Sequence, residues 1–513
     1  MKKMTLSRLV GLFLLTFIFS TYLSSCKKDK GSGETPPPTP PLTGLSDADS
    51  LKYLMYRTMQ VSFVDGGRDK TLQLPTYLWY NQVPQLDPLS SQYDSADVLL
   101  KKMKTYPTGT DGKLIDKYSF LDHGQVAGEI QQGVAGDLGM DVTFARDGAT
   151  NIVLVVLYAD KNGPAGNAGV KRGYQISKIN GTNVVYDNNG PGVQSVISAI
   201  YRDAQASFTF KRQDGTTFTQ QLNRAVYPIN PVLFDSVYTV SGKKVGYFVF
   251  NTFSNVTNNN APTLTKTELD RVFSKFEGAG ISNLIVDFRY NGGGSVNTAE
   301  YIVNKIAPQS AIGKVMYKYK YNDKLTSQPN QVKLTDKVMF TSAGNLNLEH
   351  VYFIGSNRTA SASELVLNSL KPFRDVKLIG DTTYGKPVGF FSFTISIFKK
   401  GVEKDLADLY AINFETLNSE DKGGYYNGII PDVLAGDFVG EPWGGAKDEN
   451  LVKIFKFLST GSYERTSTME RMSKDKTLRV PVKTAIKPLR FNGMVDYKMG
   501  AIIKKEFEKS LGR

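Results

Sequence analysis

The chain has 513 residues, 41% of them hydrophobic and 22% charged, enough apolar length for a sizeable core in two to four domains and unlike a disordered or fibrous chain. One cysteine, Cys26, excludes an internal disulfide and a cysteine metal cluster, and two histidines, His123 and His350, leave little for a histidine-rich metal centre; no metal or cofactor is expected. The formal charge of +13 would suit nucleic acid or anionic lipid, but no dense Lys/Arg run with interleaved aromatics accompanies it, and nucleic acid is not an expected partner.

Lys2, Lys3 and Arg8 flank an apolar run from Leu9 to Phe19. That run is too short to span a bilayer and has the length of a secretory hydrophobic region. Leu23-Ser24-Ser25 then leads into Cys26, an arrangement that resembles the lipobox of bacterial lipoproteins. The resemblance implies a signal peptide over residues 1–25, lipid on Cys26, a membrane partner through that lipid, and residence in the bacterial cell envelope. Loss of residues 1–25 would lower the charge to +10. Residues 26–44 are rich in Lys, Gly, Ser and then Pro, which predicts an extended tether.

Residues 45–122 predict a small helical domain, with Leu51, Leu54, Met55 and Met59 at helical spacing and Val98, Leu99 and Met103 repeating it. The cluster Tyr77, Leu78, Trp79 and Tyr80 between them reads as packing rather than a ligand platform. Strand-rich text follows over residues 123–228. A glycine loop at Gly136–Gly139 runs into alternation through Phe144, and Ile152–Tyr158 predicts a second, more buried strand. The stretch Gly163–Val184, GPAGNAGVKRGYQISKINGTNV, resembles a PDZ domain. That resemblance implies that N–H groups near Leu138, Gly139 and Met140 hold a peptide's terminal carboxylate while the peptide adds as a strand. Tyr174 follows Gly173 where such domains usually carry Asp.

Residues 229–460 alternate strand and helix, which predicts parallel α/β layers. Val245–Phe250 is a strand; Leu269, Val272, Phe273 and Phe276 mark a helix opened by Thr265-x-x-Glu268 and closed by Gly278. Leu284–Phe288 is a buried strand running into Arg289-Tyr290-Asn291-Gly292-Gly293-Gly294, which matches neither dinucleotide-loop nor phosphate-loop spacing. A helix from Thr298 to Ala307 and a strand from Val351 to Gly355 precede Ser361-x-x-Glu364, whose spacing is that of a capping box. A hydroxyl there sits beside unpaired N–H groups and the positive end of a helix dipole, where a negative tetrahedral intermediate is stabilised. After a short strand, Val376–Ile379, Lys386 lies in a glycine turn.

Ser361-Ala-Ser-Glu, the Gly385-Lys386 turn and the Arg-x-Asn-x-Gly-Gly segment together resemble the S41 family of serine peptidases, the C-terminal (tail-specific) processing proteases. The resemblance implies an α/β multidomain chain. Its protease core would have ClpP/crotonase-like layers, with a PDZ β-domain inserted or preceding and an N-terminal helical domain. It makes Ser361 the nucleophile, Lys386 the general base, and the N–H groups of Gly293 (or its neighbour Gly294) and Ala362 the oxyanion hole, and it implies protein or peptide substrates with apolar C-termini. A lysine base must be buried so that its amine is neutral near pH 7. Many members carry Gln four residues after the lysine; here Phe390 stands there, leaving open whether an orienting bond to Lys386 is lost or supplied elsewhere. The rival reading is a non-catalytic lipoprotein that binds peptides or apolar ligands. A Ser/His/Asp triad through His123 or His350 is disfavoured, as are the turns Ser241–Lys244 and Ser419–Lys422. Residues 461–513 are basic and irregular, and no role is read for them.

Overall fold

The computed structural model describes residues 44–60, 75–148, 151–327, 334–463, 465–475 and 479–502, and residues 41–513 form one compact unit. Cys26, the signal segment and nearly all of the tether lie outside the described residues. No described helix is long and apolar enough to cross a membrane.

Helix α1 (Asp47–Gln60) and helix α2 (Ala96–Met103) bury Met55, Met59, Leu99 and Met103 of the predicted apolar faces, whereas Val98 is exposed. Ser95 starts α2 by accepting the Val98 N–H on its hydroxyl at 3.3 Å. Tyr77 and Trp79 pack edge-on with ring centroids 5.8 Å apart, as core rather than platform. Helical content is nevertheless smaller than expected. Apart from α2, residues 75–119 are mostly turns and extended chain, because Pro75, Pro84, Pro88 and Pro107 each deny a helix its N–H and its preceding turn. This region shares one apolar cluster with Val388, Phe390, Tyr410, Ile412 and Val495, so its burial depends on residues from the other end of the chain.

A β body follows: β1 (Met140–Asp147), β2 (Asn151–Ala159), β3 (Gln175–Ile179), α3 (Pro191–Tyr201), β4 (Gln205–Lys211) and β5 (Thr217–Asn223). The strands pair antiparallel in the order β1-β2-β3-β4-β5. The predicted alternation over β1 is absent: Met140 to Ala145 are all buried. One face, with Met140, Val142 and Phe144, packs under α3, while Ala145 joins Val153, Val155 and Tyr158 against the neighbouring core.

The core comprises β6 (Val232–Val240), β7 (Lys243–Phe250), α4 (Leu264–Ala279), β8 (Asn283–Asp287), β9 (Gly293–Ser295), α5 (Val296–Ile306), β10 (Val315–Lys320), β11 (His350–Gly355), α6 (Ala362–Leu370), β12 (Val376–Gly380), β13 (Val388–Phe390), β14 (Ile412–Asn418), β15 (Val433–Leu434) and α7 (Glu449–Thr460). Strands β6-β7-β8-β11-β12-β15 form one sheet, parallel except for the β6/β7 pair. Helices on a parallel sheet bury its strands on both faces, which is why β8 is inaccessible throughout and apolar over Leu284–Val286. Helix α4 starts at Thr263 rather than Thr265, whose hydroxyl is bonded to Ser254 at 2.5 Å instead. It ends on Gly280, at φ 64°, two residues beyond the predicted stop.

The residues beyond 460, for which no role was expected, return to both bodies. Strand β16 (Arg479–Pro481) pairs antiparallel with β1, and β17 (Gly493–Val495) lies between β9 and β13, parallel to both.

Candidate active site

The β11–α6 junction turns sharply. Ser361 has φ 61° and ψ −110°, a conformation that costs a non-glycine residue about 1–3 kcal/mol and persists only where the surroundings enforce it. What enforces it is Glu364. Of the predicted capping box the carboxylate half is present, and it accepts the Ser361 N–H at 2.7 Å. The same oxygen accepts the Lys386 N–H at 2.8 Å, while the other accepts the Gly385 N–H at 2.8 Å and the Thr383 hydroxyl at 2.5 Å. One carboxylate therefore fixes the backbones of nucleophile and base candidates together, no farther apart than two hydrogen bonds. Burial pushes the Glu364 carboxyl above its usual range, against the pull of these four bonds toward the ionised form.

Lys386 is 1% exposed. Its Nζ donates to the main-chain carbonyl of Asn492 at 2.9 Å and faces the rings of Phe390 at 4.2 Å, Tyr118 at 5.1 Å and Phe491 at 5.7 Å. Burial pushes its amine well below the ordinary lysine value; Asp116 pulls it up, Lys104 pushes it down, and Glu364 and Lys117 repeat that opposition more weakly. The burial that a lysine base requires is thus present. At the glutamine position Phe390 supplies one wall of an aromatic box, and the bond on Lys386 Nζ is to the Asn492 carbonyl. Tyr118 holds the turn by donating to the Gly385 carbonyl at 2.6 Å.

Ser361 Oγ is fully buried and has no hydrogen-bond partner. Hydroxyl and amine are thus each buried, and they are not bonded to each other, which differs from the bonded pair the sequence led us to expect. Catalytic bonds of this kind often tighten only when substrate arrives.

Ala362 is the first residue of α6, whose leading N–H groups lack intrahelical partners. Gly293, at φ 110°, lies against it: a Cβ on Gly293 would sit 3.0 Å from Ala362 N and press on the Gly493 carbonyl. The Gly293 N–H itself is donated to Asn291 Oδ1 at 2.9 Å, so the expected oxyanion donor is engaged by its own loop. Gly293→Ala is expected to lower both melting temperature and any turnover. Gly278→Ala, where a Cβ meets nothing within 4 Å, should be neutral or stabilising by about 0.5–1 kcal/mol; equal effects in thermal melts would refute the close-packing argument.

The remaining predicted residues fall elsewhere. Leu138 and Met140 are core side chains, and the Gly139 N–H is donated to Asp137 Oδ1 at 2.6 Å, so this N–H of the expected carboxylate loop serves an internal carboxylate. Asp137 is held in turn by Tyr227 at 2.6 Å and Arg490 at 3.1 Å. His350 pairs with Asp375 at 2.7 Å and His123 lies 3.9 Å from Asp97. Among the described residues no group of three or more His, Cys, Asp or Glu is arranged to hold a metal.

Residues 244–434 match the model of peptidase family S41. That segment is similar to an S41 peptidase domain. It contains Ser361, Lys386, Gly293 and Ala362, whereas Tyr118, Asn492 and the β body lie outside it. The chain is 25% identical over 284 residues to the chloroplastic C-terminal processing peptidase of Tetradesmus obliquus, covering 52% of this chain and 55% of that one. It is 26% identical over 262 residues to the carboxy-terminal processing protease CtpB of Bacillus subtilis, covering 50% and 46%. The chain thus spans about half the length of these curated relatives. A crystal structure from Bacteroides fragilis, described as an S41 protease, superposes with a TM-score of 0.56 at 23% identity, covering 75% of this chain and 94% of that one, and shows the shared fold.

Proposed function

We infer that the protein is a serine endopeptidase that cuts proteins near their C-termini. The observation that carries the reading is a serine on a strained strand-to-helix turn and a lysine with a buried amine, whose backbone N–H groups share the one carboxylate of Glu364. A neutral lysine amine has two hydrogens and one lone pair. Lys386 keeps one hydrogen on the Asn492 carbonyl while its lone pair takes the Ser361 proton as Oγ attacks a peptide carbonyl. The Ala362 N–H, and the Gly293 N–H once it leaves Asn291, receive the oxyanion. Lys386 then protonates the leaving amine, and water releases the acyl group from Ser361. The β body, with a strand edge beside one helix, is read as the PDZ-like module that engages the substrate peptide.

A second reading, peptide binding without turnover, draws on three features: Phe390 in the glutamine position, the Gly293 N–H engaged by Asn291, and the absence of a Ser361–Lys386 bond. A fluorophosphonate probe and an unfolded test protein separate the two. The wild type is expected to be labelled and to degrade the protein, and Ser361→Ala to do neither; identical behaviour of both leaves the binding role.

The apolar run Leu9–Phe19 and Cys26 support a lipid anchor that would place the enzyme on a membrane of the bacterial envelope. Expressed in a bacterium that processes lipoproteins, the protein should partition into the detergent phase of Triton X-114 and Cys26→Ala into the aqueous phase; partition of both into water would end the anchor proposal.

A further inference from the structure

Strand β1 has β2 on one side and, on the other, residues from nearly 340 positions later. Arg479, Val480 and Pro481 face Asp147, Arg146 and Ala145 in antiparallel register, and Val482 continues by donating its N–H to the Phe144 carbonyl at 2.9 Å. Residues 481, 483 and 485 are exposed while 482, 484 and 486 turn inward, the period-2 signature of an added strand. Ile486 is buried in the cluster that contains Leu138, Met140, Val193 and Ile200, beside the glycine loop and α3. Ala485 donates its N–H to Asn189 Oδ1 at 2.5 Å, just ahead of α3. Beyond it, Lys487 and Leu489 share the wall of a cavity of about 800 Å³ with Gln194 and Ile197 of that helix.

The hold on this stretch is light. Three ladder residues, the buried Ile486 side chain, the Val482 and Ala485 N–H bonds above, the Val439 N–H on the Arg479 carbonyl at 3.0 Å, the Tyr186 hydroxyl on the Lys483 carbonyl at 3.4 Å and an ion pair of Arg479 with Asp147 at 3.2 Å, whose side chains are 21% and 24% exposed, secure it; surface pairs contribute about 0–1 kcal/mol. Firm anchorage begins only at Arg490, which is buried on Asp137 and Tyr227. Release of residues 479–489 from β1 would break these contacts and leave the Arg490 anchorage untouched.

We propose that the groove between β1 and α3 is a peptide site which the chain fills with its own residues Arg479–Ile486. Incoming peptides of the same pattern, extended, aliphatic at alternate positions and ending in an aliphatic residue beside Leu138–Met140, displace this internal strand. The proposal rests on the peptide-binding reading of the β body. A tethered competitor acts at an effective concentration in the millimolar range, and the apparent affinity of an external peptide falls by the fraction of grooves left open.

The test uses the full chain in a Ser361→Ala background and a fluorescein-labelled peptide, Arg-Val-Pro-Val-Lys-Thr-Ala-Ile, with a free carboxylate. Val482→Asp with Ile486→Asp places charges where only apolar side chains fit and should expel the strand, tightening probe binding at least about 10-fold. Equal affinity in parent and variant overturns self-occupancy and leaves the groove reading standing; binding by neither removes the groove reading and the proposal with it. A second variant excludes misfolding: Arg146→Cys with Val480→Cys, in Cys26→Ala, joins directly paired residues. Its oxidised form should lose the probe and regain it on reduction, and reductant-independent binding would overturn the proposal.

Discussion

Lys386→Met is expected to stabilise the fold while lowering turnover by about 10²–10⁴-fold, the usual contribution of a positioned acid–base group. The two effects share one cause. Burial holds the amine far below the ordinary lysine value, so between its folded pKa and the unfolded value of about 10.4 the unfolded chain binds the extra proton. Wild-type stability therefore rises with pH across that window, and the cost of burying a cation is fully present below the folded pKa. Methionine fills a similar volume without the charge, so the variant's advantage in urea melts should be largest at and below the folded pKa and should close as the pH nears 10.4. Wild-type turnover should climb with pH as the amine loses its proton. A variant less stable than wild type at neutral pH, or one that still cleaves, would contradict the assignment of Lys386 as a buried neutral base.

Glu364→Gln should damage both fold and activity. The substitution is isosteric, but an amide NH₂ cannot accept, so either the Ser361 and Lys386 N–H groups or the Gly385 N–H and Thr383 hydroxyl lose their acceptor. A buried donor left unpaired costs about 1–3 kcal/mol. With Ser361 held at φ 61° largely by this contact, the released turn should relax and carry Oγ away from the amine. The expected signature is a lower melting temperature together with a fall in kcat beyond what the folded fraction explains, whereas Lys386→Met separates the two quantities. Wild-type melting and turnover in Glu364→Gln would remove the clamp from the account.

The parts of this molecule written in local spacing were legible before any coordinates. The start of α6, the apolar run of β8, the α/β alternation and the burial demanded of Lys386 each follow from residues a few positions apart or from chemistry one side chain must satisfy. The partners that complete the site lack such a signal. The bond from Lys386 to Asn492 spans 106 residues and that from Tyr118 to Gly385 spans 267, and each ends on a main-chain carbonyl, a group every residue has. Strands β16 and β17 are three residues each, too short for periodicity to register. Glu364 was half visible: its capping role lies within four residues, but its grip on Lys386 depends on the return of β12 and the glycine turn. The alternation expected in β1 failed because both of its faces are covered, which a single strand's sequence does not reveal.

The order in which the polypeptide is made adds a consequence of the β9-β17-β13 arrangement. Ser361, Lys386 and their clamp are translated well before Asn492 and the three residues that separate their supporting strands. A nascent chain lacking that last segment has the reacting groups but neither the carbonyl that steers the amine nor the strand that holds the glycine loop against the lysine turn.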